Sequence, residues 1–338
     1  MKATIRDVAK LAGVSVATVS RVMNQKGYVN SETEQKVNKA MKQLKFEPNQ
    51  MARGLAGKRT KTIALILPDI SNPFFPGLAR GVEDIAQNNG YTVILCNSDD
   101  MGVKERSYIE VLKKKYIDGI IFATNNLVRE DLERMEEAQI PFVMLDRAPN
   151  MESGCVIKVD NFGGAKTAVE HLLDVGCKKI AHVYGPQELT TAKERLAGYE
   201  EVVRQQPWYT PTLMIPGDFT IDGGMKAVEA LLGKHPDVDG IFAGNDLMAV
   251  GILKGLKQRA ISVPGQVAVC GFDGVNLTEI TEPELSTIAQ PIYQIGELAA
   301  NKLIERINLS STHYETVELG VSLIARESTR KRLMSGMS

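Results

Sequence analysis

The sequence is poor in the residues that most often carry chemistry, with four cysteines, four histidines and one tryptophan among 338 residues. Cys96, Cys155, Cys177 and Cys270 are far apart, form no Cys-x-x-Cys pair and have no histidine near enough to complete a zinc set. They read as buried thiols. His171, His182, His235 and His313 stand apart from any recognisable nucleophile or ligand set. There is no Gly-x-x-x-x-Gly-Lys phosphate loop, no Gly-x-Ser-x-Gly nucleophile turn and no His-Glu-x-x-His metal motif. No enzyme, cofactor or metal is expected. No apolar run approaches the roughly 18 residues of a membrane span, and Met1-Lys2-Ala3-Thr4-Ile5-Arg6-Asp7 lacks the apolar core of a secretion signal. A cytoplasmic protein without a membrane partner is expected.

What is present is ordinary globular composition, 43% apolar and 24% charged, in a chain long enough for two or three domains at about 150 residues each. The formal charge of −1 hides an asymmetry. Residues 1–61 hold 13 Lys and Arg against 4 Asp and Glu, a balance of +9, and the remainder holds 27 against 37, a balance of −10. A small cationic module that meets a polyanion, joined to an acidic body, fits that split.

The cationic module has the pattern of three short helices. Thr4 caps the first with Asp7 three residues on, Val8, Ala9 and Ala12 form its apolar face, and Gly13 ends it. Ser15 caps a second helix carrying Val19, Val22 and Met23. Ser31-Glu32-Thr33-Glu34 reads as a capping box for a third, with Val37, Met41 and Leu44 on one side. Gly13-Val14-Ser15 has the length of a helix-turn-helix connection. The second helix is then expected in a major groove, with Val16, Ala17, Ser20 and Arg21 near base edges. Arg21 suits a guanine, Val16 and Ala17 suit thymine methyls, and Thr4, Ser15 and Asn24 complete the expected DNA-facing set. The segment after the third helix can be helical only marginally, since it is short and carries Gly54, which costs about 1 kcal/mol relative to alanine.

From Thr62 onward, apolar β-rich runs alternate with helical stretches, the pattern of parallel sheets flanked by helices. The strands are expected at Ile63 to Leu67, Thr92 to Cys96, Gly119 to Ala123, Phe142 to Leu145, Ile180 to Tyr184, Ile241 to Ala243 and Val267 to Gly271. Ligands bind beyond the carboxyl ends of such strands. Those ends carry Asn72, Phe74, Phe75, Asp146, Arg147, Arg195, Phe219, Asn245, Asp273 and Gln290, while Asp246 reads as a helix cap. The aromatic faces suit the C–H faces of a sugar ring. Two carboxylates balance two guanidinium groups, which favours a neutral polyol over a phosphorylated ligand. Asp146 and Asp273 would also suit an acid/base pair of the glycosidase kind.

The sequence resembles the LacI/GalR family of bacterial transcription repressors. The likeness runs from Thr4-Ile5-Arg6-Asp7-Val8-Ala9 through Gly13-Val14-Ser15 and Thr18-Val19-Ser20-Arg21-Val22 to Asn49–Leu55, and continues through the body. It implies an N-terminal three-helix helix-turn-helix domain (1–47), a hinge helix and linker (48–61), and an α/β periplasmic-binding-protein-like body (62–338). The body would comprise two Rossmann-like parallel-sheet subdomains, 62–160 with 291–321 and 161–290 with 322–338. It further implies that Leu55 wedges into a central base step of the minor groove with Ala52 and Ala56 beside it. Segments such as Asn72-Pro73-Phe74-Phe75, Leu145-Asp146-Arg147, Asp218-Phe219 and Gly271-Phe272-Asp273-Gly274 resemble ribose-binding proteins and ribose repressors. That likeness implies ribose as effector, held by the ten strand-end residues. A homodimer on a pseudo-palindromic operator is expected, since Arg330 to Ser338 carries no heptads for a coiled coil. The alternatives are another sugar, or a catabolite-control regulator activated by a phosphorylated carrier protein.

Overall fold

The computed structural model describes residues 3–24, 28–46, 59–124, 126–145, 154–309 and 314–330. They form two compact units, divided in sequence between Thr60 and Lys61. The expected hinge residues Ala52, Leu55 and Ala56 lie outside the described residues, as do Asp146, Arg147, His313, the segment 331–338 and the side chain of Asn24.

In the first unit, α1 (Ile5–Ala12) begins at Thr4, whose Oγ1 accepts from the Asp7 amide at 3.4 Å. Asp7 Oδ2 in turn accepts from the Thr4 amide at 2.8 Å, which completes a reciprocal cap. Gly13 closes α1 with φ 68°, a left-handed conformation that favours glycine. In α2 (Val16–Asn24) the first-turn amide of Thr18 donates to Ser15 Oγ at 3.1 Å. The start of α3 (Ser31–Gln43) corrects the sequence reading by one residue. Its cap is Asn30, whose Oδ1 accepts from the Thr33 amide at 2.8 Å, and Ser31 is already helical. Asn caps as well as Ser, and the first helical bond runs from the Glu34 amide to the Asn30 carbonyl at 3.1 Å. Val8, Ala9, Val19, Val37 and Ala40 form one small core.

The second unit contains two six-stranded sheets among the described residues. The first is built from β1 (Thr62–Leu67), β2 (Thr92–Asn97), β3 (Gly119–Phe122), β4 (Phe142–Leu145), β5 (Cys155–Val159) and β11 (Glu315–Leu319). Its order is β11-β5-β4-β3-β1-β2 and every pairing is parallel. The second is built from β6 (Ile180–Tyr184), β7 (Met214–Pro216), β8 (Gly240–Ala243), β9 (Ala268–Asp273), β10 (Ser286–Ala289) and β12 (Ser322–Ile324). Its order is β12-β10-β9-β8-β6-β7, with only β10 and β12 antiparallel. β3, β4, β8 and β9 are buried along their whole length, as parallel strands covered on both faces must be.

The covering helices are α4 (Phe74–Asn88), α5 (Gly102–Lys114), α6 (Arg129–Glu137), α7 (Asn161–Asp174), α8 (Thr190–Val203), α9 (Ile221–Lys234), α10 (Asp246–Gln258) and α11 (Ile292–Leu309). α4 and α11 cross at two glycines: a Cβ on Gly81 would lie 2.2 Å from the Tyr293 carbonyl oxygen, and one on Gly296 would lie 2.1 Å from that of Leu78. The backbones therefore touch where side chains would hold them apart. The chain leaves the first sheet after Val159, returns after Ala289 and crosses once more between Leu319 and Ser322. In each sheet the strand order reverses once, between β1 and β3 and between β6 and β8. Such reversals open crevices at the carboxyl ends of the strands. All four cysteines are buried free thiols. No helix among the described residues is long and apolar enough to cross a membrane.

Candidate functional site

Eight of the strand-end residues, Asn72, Phe74, Phe75, Arg195, Phe219, Asn245, Asp273 and Gln290, line one cavity of about 470 Å³. That volume lies within the ~300–1,000 Å³ usual for small-ligand pockets. Both sheets contribute. Asn72, Phe74 and Phe75 follow β1 and Ala123 follows β3, while Pro186 to Arg195 follow β6, Asn245 follows β8 and Gln290 follows β10. The cavity therefore takes residues from both reversal points.

Its aromatic walls are fixed by polar groups. Asn72 Oδ1 accepts from the Phe74 amide at 3.1 Å at the start of α4, and the Phe74 and Phe75 rings meet edge to face with centroids 5.2 Å apart. Phe219 sits in left-handed backbone at φ 63°, a strained conformation for a bulky residue that its surroundings must hold in place. Asn245 Nδ2 donates to its carbonyl at 3.1 Å. Gly185 makes room for its ring, since a Cβ there would lie 2.1 Å from Phe219 Cζ.

The polar floor is a buried ion pair. Arg195, only 5% exposed, donates from Nη1 to Asp273 Oδ1 at 3.3 Å and to the Gly244 carbonyl at 2.7 Å. Its guanidinium carbon lies 3.8 Å from the centroid of the Phe272 ring. Gln290 Nε2 donates to the same Asp273 oxygen at 2.8 Å, and its amide donates to the Asp273 carbonyl at 3.0 Å. Burial pushes the Asp273 carboxyl upward, while Arg195 and Gln290 pull it back.

Asp246 is not the helix cap that the sequence suggested. Asn245 is, with its Oδ1 accepting from the Met248 amide at 2.9 Å. Asp246 is the first helical residue and turns inward, fully buried. Its Oδ2 accepts from the amides of Gly274 at 2.7 Å and Val275 at 2.9 Å, and its Oδ1 from the Thr287 hydroxyl at 2.6 Å. Asp273 at φ 123° and Gly274 at φ 77° turn the loop so that it presents those two amides. Burial, and next the charge of Asp273, push the Asp246 carboxyl up.

The sequence reading missed the acidic part of the lining, Asp69, Asp99, Asp100 and Asp218. Asp99 pairs with Lys104, which holds its carboxyl below the usual range. Asp100 Oδ1 accepts from Asn126 Nδ2 at 2.8 Å. The signal was present, because Asp99 and Asp100 follow β2 as Asn72 follows β1. The described histidines lie apart from the cavity lining. His182 is buried and stacked on Phe242 with centroids 4.6 Å apart, and burial lowers its pKa to about 4. Among the described residues no group of three His, Cys, Asp or Glu could hold a metal.

On α2, Val16, Ala17 and Arg21 are exposed and Ser20 is partly buried on the same face, opposite the fully buried Val19. Thr4 and Ser15 are exposed beside the helix starts, each spending its hydroxyl on a cap. One exposed face therefore carries both a cation and apolar groups.

Residues 60–327 match the model for periplasmic binding proteins and the sugar binding domain of the LacI family, and residues 4–49 match that for bacterial regulatory proteins of the lacI family. The chain is 44% identical over 327 residues to the ribose operon repressor of Halalkalibacterium halodurans, covering 97% of each. It is 36% identical to catabolite control protein A of Priestia megaterium, covering 98% of this chain and all of that one. Among solved structures, a LacI family regulator from Enterococcus faecium with bound ribose aligns with a TM-score of 0.72 at 32% identity, over 79% of this chain and 98% of that one. A lac repressor dimer bound to operator aligns with a TM-score of 0.85 at 26% identity, over 97% and 99%. The chain belongs to the LacI family of bacterial regulatory proteins.

Proposed function

We propose that this chain is a cytoplasmic transcriptional repressor that binds operator DNA as a homodimer, and that ribose in the cavity is its inducer. The observation that carries this reading is that the bonded Arg195–Asp273–Gln290 group lines one cavity together with Phe75 and Phe219. Ribose offers hydroxyls that both donate and accept, and a C–H face for the rings. Asn72, Phe74 and Asn245 complete the contacts from the described residues, and Asp146 and Arg147 would join them. Asp273 Oδ1 accepts from two donors, which supports a binding role for this carboxylate over an acid/base one. The ribose operon repressor and the ribose-bound regulator support this choice of sugar.

The test is calorimetry of the full chain against pentoses, hexoses and ribose 5-phosphate. Ribose is expected to bind best and to be recovered unchanged, and the phosphate ester to bind poorly against the carboxylates in the lining. Absence of binding by any pentose would overturn the reading. Gly185→Ala is expected to weaken ribose binding roughly tenfold, since the new methyl displaces Phe219 and one good contact is worth about 1.4 kcal/mol. Its circular dichroism should match the parent.

On DNA, Val16, Ala17, Ser20 and Arg21 read base edges, with Thr4, Ser15 and Asn24 near the backbone. Leu55 enters the minor groove between Ala52 and Ala56 of a hinge that orders only in the dimer on its operator. Sugar closure of the body separates the paired hinges and releases DNA. Arg21→Ala is expected to cost about 1–3 kcal/mol of operator affinity and to relax discrimination at one base pair. A uniform loss across all operators, measured by gel shift, would assign Arg21 to a phosphate instead.

The likeness to catabolite control protein A favours a second reading, a regulator switched on by a phosphorylated carrier protein. The net acidic body, 27 Lys and Arg against 37 Asp and Glu after residue 61, argues against a phosphate-receiving surface. Tighter operator binding on addition of the phosphocarrier would favour it.

A further inference from the structure

We infer that Asn161 is a positioning residue for Arg195 and ties the cavity to the segment where the chain first passes between the sheets. This rests on the reading of the cavity as a sugar site. Asn161 does not line the cavity; it is 1% exposed, opens α7 and lies two residues beyond the end of β5. Its Oδ1 accepts from Arg195 Nε at 2.9 Å. Its Nδ2 donates to the Val159 carbonyl at 3.3 Å and to Glu194 Oε2 at 3.1 Å. With the nitrogen committed to two acceptors, the amide oxygen has to face the guanidinium. Arg195 is thus held at two points, Nε by Asn161 and Nη1 by Gly244 and Asp273, above the Phe272 ring.

The neighbouring bonds give this anchor a wider reach. The Asp160 amide donates to the Leu319 carbonyl at 3.2 Å, and Lys158 pairs with Glu318 at 2.6 Å, so the first and third passages between the sheets are tied together. Gln290, at the second passage, donates to Asp273. The Arg195–Asp273 pair is therefore bonded on one side to the first passage and on the other to the second. A ligand that draws on either charged group acts directly on the segments about which the two sheets would rotate. Side chains that bridge a site to a bistable element modulate coupling in this way.

The experiment compares the full chain with Asn161→Leu, which keeps the approximate size without the acceptor, and with Asn161→Asp combined with Glu194→Gln, which keeps the acceptor and gives its second oxygen a donor. Each is measured by ribose calorimetry, by operator gel shift with and without saturating ribose, and by thermal unfolding. Asn161→Leu is expected to bind ribose roughly tenfold more weakly and to lose about 2- to 30-fold of its sugar-induced operator release. Asn161→Asp with Glu194→Gln is expected to stay within about threefold of the parent for ribose, because a carboxylate accepts from Nε at least as well and its second oxygen meets an amide donor in place of the Glu194 carboxylate. If the parent binds no pentose, the cavity reading falls and this inference with it. If the parent binds ribose and the folded Asn161→Leu protein binds it and releases operator as the parent does, the role of Asn161 alone is overturned. Equal weakening in the Leu variant and the double variant overturns it too, since the accepting oxygen would then be irrelevant.

Discussion

Replacing Arg195 with methionine is expected to lower ribose affinity by at least about 100-fold, because the variant loses a charged donor and disturbs two acceptors at once. The Gly244 carbonyl and Asp273 Oδ1 both lose their bond to Nη1. Stability should fall as well, since removing one partner of a buried ion pair costs about 3–5 kcal/mol. That cost is pH-dependent in a direction the structure fixes. Burial already raises the Asp273 carboxyl above its ordinary range, and Arg195 is the main group opposing it, so the variant holds the proton to still higher pH. A carboxyl raised in the folded state gives stability that is present at low pH and lost as pH rises through its folded pKa. The gap between parent and variant should therefore be smaller at pH 5 than at pH 8. Denaturant unfolding at pH 5 and pH 8, beside calorimetry, checks both effects. An identical gap at the two pH values would contradict the assignment.

Asp246→Ala should be about as damaging to the fold, at about 2–6 kcal/mol, because the buried amides of Gly274 and Val275 lose their acceptor at ~1–3 kcal/mol each. Asp246→Asn tests the same bonds without the charge. Its amide oxygen accepts from the two amides and its nitrogen donates to Thr287, so it is expected within about 1 kcal/mol of the parent. The sign of the pH effect again follows from burial. Burial, and next the charge of Asp273, raise the Asp246 carboxyl above the ordinary carboxylate range, so the parent loses stability as pH climbs out of that range. Asp246→Asn has no such proton to lose and should unfold with a flatter pH profile. Equal destabilisation by Ala and Asn would mean that the two amides do not depend on this side chain.

Sequence patterning made β1, β2, β3, β4, β6, β8 and β9 legible, all but β2 as apolar runs buried on both faces. It failed for β5, which Lys158 interrupts, for β10, which opens on Ser286 and Thr287, for β7 and β12, which are three residues long, and for β11, whose Glu315 and Glu318 break the apolar run at a sheet edge. The strand-end argument found eight cavity residues because parallel topology sends every carboxyl end to one side. It passed over Asp99 and Asp100, which follow β2 in the same way. The bonds within the site were not legible, since Arg195 finds Asn161 across 34 residues and Asp273 across 78, and no local pattern encodes such pairs. Asp246 was misassigned for a related reason. Adjacent Asn and Asp at a helix start look interchangeable until the facing loop shows which one has two amides to satisfy.

The central claim is that a neutral pentose in the cavity weakens the grip on DNA. Operator affinity of the full chain, measured by gel shift as ribose is raised from zero to saturation, tests it most directly. A fall of about 5- to 150-fold is predicted, the span of an ordinary allosteric coupling. Unchanged or tighter operator binding, with calorimetry showing the sugar bound, would contradict the account.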